Sequence, residues 1–300
     1  MAGWLDQLLY IPYTAYRQVR WLLGDRSPFG ATLKLTTRCT LHCRHCPWLD
    51  HPQPDLPLER WLEVIREVRA RGARHLVLEG GEPTLRPDLP EIIAYAQSIQ
   101  MKVSLATNAT RPLDAYKPER FFISVDGLRE THDRLRGPGA FDRMVSNLPT
   151  ARAPRFALVS LSIENVAEIE SILEFFQDKV EGFWFSFVYD YRREDGLALS
   201  AEEKLKAGER ILALRGRYRI TNLPSYLREL GTDRACREWL LITVTADGVI
   251  HEGCMIRVQA GECRCADCEL ACHREFSDFI EPRLYFQHLR DYLEKIKPKD

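Results

Sequence analysis

The stretch Thr37-Arg-Cys39-Thr-Leu-His-Cys43-Arg-His-Cys46-Pro-Trp48 decides how this chain is read, because it sets three cysteines in the order Cys-x3-Cys-x2-Cys. It follows a strand-like run, Ala31 to Thr36, so one tight loop would present three thiolates at the end of a strand. An iron–sulfur cube is usually held by four thiolates. Three leave one iron open, and an open coordination position is where a metal site takes substrate or cofactor. A zinc knuckle is the other reading, and it needs a fourth ligand such as His42 or His45.

Downstream of this loop, helical and strand-like patterns alternate at intervals of roughly thirty residues. Helices are expected at Leu58 to Arg71, ending on Gly72, and at Asp88 to Gln100, near Phe141 to Leu148, at Val166 to Gln177 and at Ala201 to Leu214. Strands are expected at His75 to Glu79, Lys102 to Ala106, Phe121 to Val125, Phe156 to Leu161 and Gly182 to Tyr189. With Ala31 to Thr36 this makes six strands with helices between them, an α/β fold with a parallel, barrel-like sheet. Chemistry in such barrels gathers at the C-terminal ends of the strands. Three segments occupy those ends: Gly80-Gly81-Glu82-Pro83, Thr107-Asn108 and Ser124-Val-Asp126-Gly127. Paired glycines permit close backbone approach, and Glu82 can accept charge-assisted hydrogen bonds from an ammonium. Taken alone, the first is a glycine turn entering a helix and Asn108 a turn residue.

The Cys39–Cys43–Cys46 loop together with Gly80-Gly81-Glu82-Pro83 resembles the radical S-adenosylmethionine (SAM) superfamily. The resemblance implies a partial (β/α)6 TIM-like barrel of the radical SAM type, a [4Fe–4S] cluster on the three cysteines, and SAM chelated by its open iron. Gly80, Gly81, Glu82, Pro83, Thr107, Asn108, Ser124 and Asp126 are thereby expected to line the SAM pocket, Glu82 toward the methionyl ammonium and Asp126 toward the ribose hydroxyls. The run Thr131 to Gly137, then Phe141-Asp142, also has the family's character. The implied activity is reductive cleavage of SAM to methionine and a 5′-deoxyadenosyl radical, with a reductant such as flavodoxin or ferredoxin as partner.

Six further cysteines lie in the last third: Cys236, Cys254, Cys263, Cys265, Cys268 and Cys272. Ala246-Asp247-Gly248 between apolar runs signals a hairpin, expected to bring Cys236 and Cys254 together. This region resembles the SPASM or shorter Twitch extension and implies a second [4Fe–4S] cluster, assigned to Cys236, Cys254, Cys265 and Cys268, with Cys272 competing and Cys263 spare. Four cysteines also suit structural zinc. The expected division is an amphipathic helical segment over 1–28, a barrel over 29–215 and, over 216–300, the cysteine-rich region with a C-terminal helix.

Net charge is −1, with 45% hydrophobic and 28% charged residues, an ordinary globular balance that gives no electrostatic reason for nucleic-acid binding. Clustered cysteines point to metal ligation in a reducing, cytoplasmic compartment rather than to disulfides. Apolar residues from Trp4 to Leu23 recur with helical spacing, so residues 4–23 either pack on the domain or touch a membrane surface. The layout resembles the hopanoid-adenosylating branch, which implies a lipid or isoprenoid substrate. Modification of a peptide or small alcohol, as in SPASM/Twitch enzymes, is the alternative. A non-catalytic iron–sulfur or zinc protein is the reading from another class, and it predicts no dependence on SAM.

Overall fold

The computed structural model describes residues 15–46, 52–191, 196–232, 236–260, 268 and 271–281. Six strands form its frame: β1 (Gly30–Lys34), β2 (His75–Glu79), β3 (Lys102–Thr107), β4 (Arg120–Val125), β5 (Arg155–Leu161) and β6 (Gly182–Phe187). They pair in sequence order and all in parallel. Two more strands, β7 (Leu241–Val244) and β8 (Ile250–Glu252), complete one eight-stranded open sheet in the order β6-β5-β4-β3-β2-β1-β7-β8. The expected hairpin is therefore present, and it extends the barrel sheet itself: β7 runs parallel to β1 and β8 antiparallel to β7.

One face of the sheet carries Leu33, Leu76, Leu78, Val103, Leu105, Phe121, Ile123, Val159 and Phe185, all fully buried. Helices α1 (Leu58–Ala70) and α2 (Leu89–Ser98) cover part of it. The buried residues of α1, namely Trp61, Val64, Ile65 and Val68, fall at i, i+3, i+4 and i+7, which puts them on one helix face. Fully burying one such large apolar side chain is worth about 1.5–3 kcal/mol, so this layer supplies much of the fold's stability. Phe183 and Phe187 belong to the same core, which leaves Trp184 as the strand's aromatic on the opposite face. That face carries Lys34, Glu79, Ser124 and the ring group Phe122, Phe156 and Trp184.

No helix was expected between β4 and Phe141, but one forms there, α3 (Arg129–Arg136), followed by α4 (Ala140–Asn147). The buried face of α3 is Thr131, His132, Leu135 and Arg136. Three of these four are polar, so a search for apolar periodicity passes over the helix. Then come α5 (Ile169–Phe176), α6 (Ala201–Leu214), the short α7 (Pro224–Arg228), α8 (Met255–Ala260) and α9 (Ala271–Ile280). Ser200 and Glu203 form a reciprocal capping box at the start of α6. α9 is anchored by Glu275, which accepts from Trp184 Nε1 at 3.1 Å and Asn222 Nδ2 at 2.7 Å. Neither α7 nor α8 was anticipated, since both are too short to show a period; a C-terminal helix was expected within 216–300, the region in which α9 lies.

Near the N-terminus, residues 15–22 are helical. Arg17 donates to the carbonyl of Ser27 at 2.6 Å, and Trp21 packs edge-on against Trp239. This holds one side of the helix to the domain. On the other side Leu22 and Leu23 are 68% and 82% exposed, beside exposed Tyr16 and Val19. Among the described residues, no helix is long and apolar enough to cross a membrane.

Candidate functional site

The cysteine loop and the glycine turn are stitched together by backbone. Leu35 N–H donates to the Glu79 carbonyl at 2.7 Å, Gly81 N–H to Thr36 at 2.7 Å and Glu82 N–H to Arg38 at 2.8 Å. The β1–β2 ladder thus continues past both strands into the cysteine loop. Both glycines are required by this approach. A Cβ on Gly80 (φ +152°) would lie 2.5 Å from the Thr36 carbonyl oxygen, and one on Gly81 2.1 Å from that of Arg38. The close approach read from the paired glycines is thus to the chain's own backbone.

Glu82 is fully buried. Its Oε1 accepts from Thr84 N–H at 3.1 Å, Thr84 Oγ1 at 2.7 Å and Thr107 Oγ1 at 2.7 Å; its Oε2 accepts from Asn108 N–H at 2.8 Å. Pro83 follows as the first residue of a 3₁₀ turn, where a missing N–H costs nothing. Asn108 turns back toward the cysteines: its Nδ2 lies 3.1 Å from Thr40 Oγ1 and 3.7 Å from Cys39 Sγ. Ala109 takes a φ of +53°, which costs an L-residue about 1–2 kcal/mol. Its carbonyl is held by Asn147 Nδ2 at 3.0 Å.

Ser124 is half-buried on the sheet face that also carries Lys34 and Glu79. Asp126, two residues on, is fully buried. Its Oδ2 lies 2.6 Å from Arg136 Nε and 3.5 Å from His45 Nε2, while its Oδ1 has no hydrogen-bond partner. Burial opposes its ionisation, yet Arg136, with His45 beside it, holds the carboxyl below the usual carboxylate range. His132 accepts from the Asp126 N–H through Nδ1 at 3.2 Å, as a neutral ring must, and burial lowers its pKa to about 4. Arg136 also reaches Cys43 Sγ at 3.9 Å. Burial pushes the Cys43 thiol up to about 12.

The three thiols Cys39, Cys43 and Cys46 share one electrostatic environment. Among the described residues, no three His, Cys, Asp or Glu side chains are gathered tightly enough for a single metal ion. His42 is exposed, and His45 is directed to Asp126. The donor set fits an iron–sulfur cluster: three free cysteines, with Leu41 N–H and Asn108 Nδ2 directed at one sulfur and Arg136 at another. Hydrogen bonds to sulfur are how proteins stabilise cluster charge.

In the C-terminal region Cys254 and Cys268 are buried together with Ile256, against Tyr189 and Tyr191. A hydrogen bond from Cys268 lowers the Cys254 thiol to about 6. Cys236 sits beside Arg237, whose N–H donates to Ser277 on α9 at 2.8 Å. Cys265 and Cys263 lie outside the described residues, as does the side chain of Cys272. Burial first, then Cys268, Glu79, Cys254 and Cys46, push the Tyr191 phenol well above its usual range. Tyr191 thus packs against Cys254 and Cys268 and is close enough to Cys46 to feel its charge. Glu79 in turn pairs with the buried Lys34, its register neighbour across β1 and β2. Sequence reasoning passed over Lys34 and Glu79, for which charged residues inside otherwise apolar strands were the available signal, and did not single out Arg136 within the run Thr131 to Gly137.

Residues 33–176 match the sequence model of the Radical SAM superfamily. The chain is 35% identical over 156 residues to the AdoMet-dependent heme synthase of Methanosarcina barkeri, covering 47% of this chain and 45% of that protein. It is 32% identical over 161 residues to the mycofactocin maturase MftC of Mycobacterium tuberculosis, covering 49% and 41%. It therefore spans less than half the length of either relative. Streptococcus suis SuiB, solved bound to its precursor peptide SuiA, shares the fold with a TM-score of 0.65 at 14% identity, over 91% of this chain and 70% of that one. Proteins of this superfamily use a [4Fe–4S] cluster and SAM. From β1 through α5, with its three-cysteine loop tied to the glycine turn, this chain carries a radical SAM superfamily domain.

Proposed function

We propose that the protein is a radical SAM enzyme that modifies a peptide or a cofactor precursor. The observation carrying this reading is the convergence of the Cys39–Cys43–Cys46 loop, Glu82 and Asn108 at the C-terminal ends of β1, β2 and β3, with Cys254 and Cys268 packed against Tyr191. A cluster on the first three cysteines, when bound, supplies the electron for reductive cleavage of SAM. The chain's own residues do the rest. Glu82 braces the two turns beside the loop, the Gly80-Gly81 backbone sets the loop's distance from β2, and Ser124 faces the interior at the end of β4. Cys236, Cys254, Cys265, Cys268 and Cys272 are the ligand candidates for a second metal group.

The names of the heme synthase and the maturase favour a cofactor precursor or peptide over other substrate classes. A lipid or isoprenoid substrate is a second reading, favoured by the exposed Tyr16, Val19, Leu22 and Leu23, which suit a membrane surface. The deciding experiment is anaerobic reconstitution with iron and sulfide, then dithionite and SAM, with 5′-deoxyadenosine as readout. The intact protein should form it and a Cys39→Ala/Cys43→Ala/Cys46→Ala variant should not. A cluster-loaded protein that leaves SAM intact would instead support a non-catalytic metal protein.

A further inference from the structure

Arg136, the last residue of α3, is buried together with Asp126, while its second partner, Cys43, is half-buried. Nε donates to Asp126 Oδ2 at 2.6 Å, while Nη1 is directed at Cys43 Sγ, 3.9 Å away. Asp126 is tied in turn to β5 and α3: its carbonyl accepts Asn165 Nδ2 at 3.0 Å, and its N–H is held by His132. His45, inside the cysteine loop, faces the same carboxylate at 3.5 Å. A buried guanidinium needs a counter-charge, and Asp126 provides it. That need explains the ion pair but not the N–H directed at sulfur.

We propose that Arg136 is a positioning residue that sets the reduction potential of the iron–sulfur cluster on Cys39, Cys43 and Cys46, with Asp126 controlling how much of its positive charge reaches the cluster. This rests on the radical SAM reading of the cysteine loop. One-electron reduction adds a negative charge to the cluster and its thiolate sulfurs. A cation and an N–H donor at Cys43 stabilise that charge, so they raise the potential; a carboxylate beside them lowers it. The effect is strong here because both groups lie in a water-poor interior, where charges act with a low effective dielectric. α3 thereby has a reason for its polar buried face: it delivers a guanidinium to the underside of the cluster loop.

The test is a potentiometric titration of the intact chain, following the electron paramagnetic resonance signal that changes on adding SAM. The variants are Arg136→Met, Arg136→Lys and Asp126→Asn, each checked for melting temperature and iron content. Arg136→Met should lower the midpoint enough to change the oxidised-to-reduced ratio at fixed potential by about tenfold, which is about 59 mV for a one-electron couple. Arg136→Lys should lower it less. Asp126→Asn should raise it, because the guanidinium is then uncompensated. Both sides of the ion pair are broken in turn, so loosening of the fold would move both midpoints alike; opposite signs identify the charge itself. Unmoved midpoints, or shifts of the same sign, overturn the proposal. Loss of iron by all three variants also overturns it, because tuning is not retention. A wild-type protein with no SAM-responsive cluster defeats the radical SAM reading instead, whereas a normal cluster with unmoved midpoints defeats only the role of Arg136.

Discussion

The carboxylate of Glu82 accepts the backbone N–H of Asn108 at 2.8 Å, so the turns that follow β2 and β3 move as one unit beside the cysteine loop. Glu82→Gln replaces one acceptor oxygen by a donor amide facing N–H and O–H groups. Each buried donor left without an acceptor costs about 1–3 kcal/mol. Urea unfolding should show a loss in that range, with weaker SAM binding by equilibrium dialysis. A variant as stable as the parent would mean that the carboxylate does not brace these turns.

Gly81→Ala places a methyl group 2.1 Å from the carbonyl oxygen of Arg38, a backbone atom that cannot rotate away. The glycine turn must then separate from the cysteine loop, and iron retention after reconstitution should fall. Gly216→Ala is the control, since its Cβ would meet nothing within 4 Å. Equal iron content in both variants would show that the loop does not depend on this contact.

Glu275 titrates at about 8, raised by burial against the donors around it. A carboxyl whose folded pKa exceeds its unfolded value holds its proton longer when folded, so its contribution to stability is complete below the unfolded pKa, near 4.5, and is lost as pH rises through about 8. The buried histidines His132 and His273, lowered to about 4, act oppositely and only between about 4 and 6.5. Between pH 6.5 and 8 Glu275 therefore lowers stability by at most about 1.4 kcal/mol per pH unit, while Cys254, lowered to about 6, works the other way over the same window. Denaturation at several pH values should give Glu275→Gln a slope with pH more positive than the parent's.

Cys254 and Cys268 share one buried cluster, so a metal bound there needs both. Elemental analysis of Cys254→Ala and of Cys268→Ala should show the same loss, with SAM-responsive iron on the Cys39 loop retained. Unequal losses would separate the two thiols and point to ligands drawn from elsewhere in the region.

The exposed side of helical residues 15–22 offers a last test. If it meets lipid, Leu22→Glu with Leu23→Glu should abolish co-sedimentation of the protein with anionic vesicles while leaving its melting temperature unchanged. Absence of co-sedimentation by the parent chain would remove membrane contact from consideration.

Six strands of the barrel and most of its long helices were legible because their buried faces are apolar and periodic: Trp61, Val64, Ile65 and Val68 on α1 are an example. α3 was not, because three of its four buried residues are polar, with partners outside the helix such as Asp126 and Glu168. The hairpin at Asp247-Gly248 was readable from its turn chemistry, but its pairing with β1 rather than with a separate sheet was not. Turn residues act locally, whereas strand partners are chosen by whole surfaces.

The sequence by itself determined the three-thiolate loop, the glycine turn and the order of the βα units, since these rest on residue type and short spacing. Only the tertiary structure decided that Glu82 braces Asn108, that Asp126 is buried against Arg136, and that Tyr191 packs against Cys254 and Cys268. Such contacts join residues far apart along the chain, and local propensity says nothing about them. A carboxylate buried in the core must find a donor or a cation, and the folded arrangement alone specifies which one.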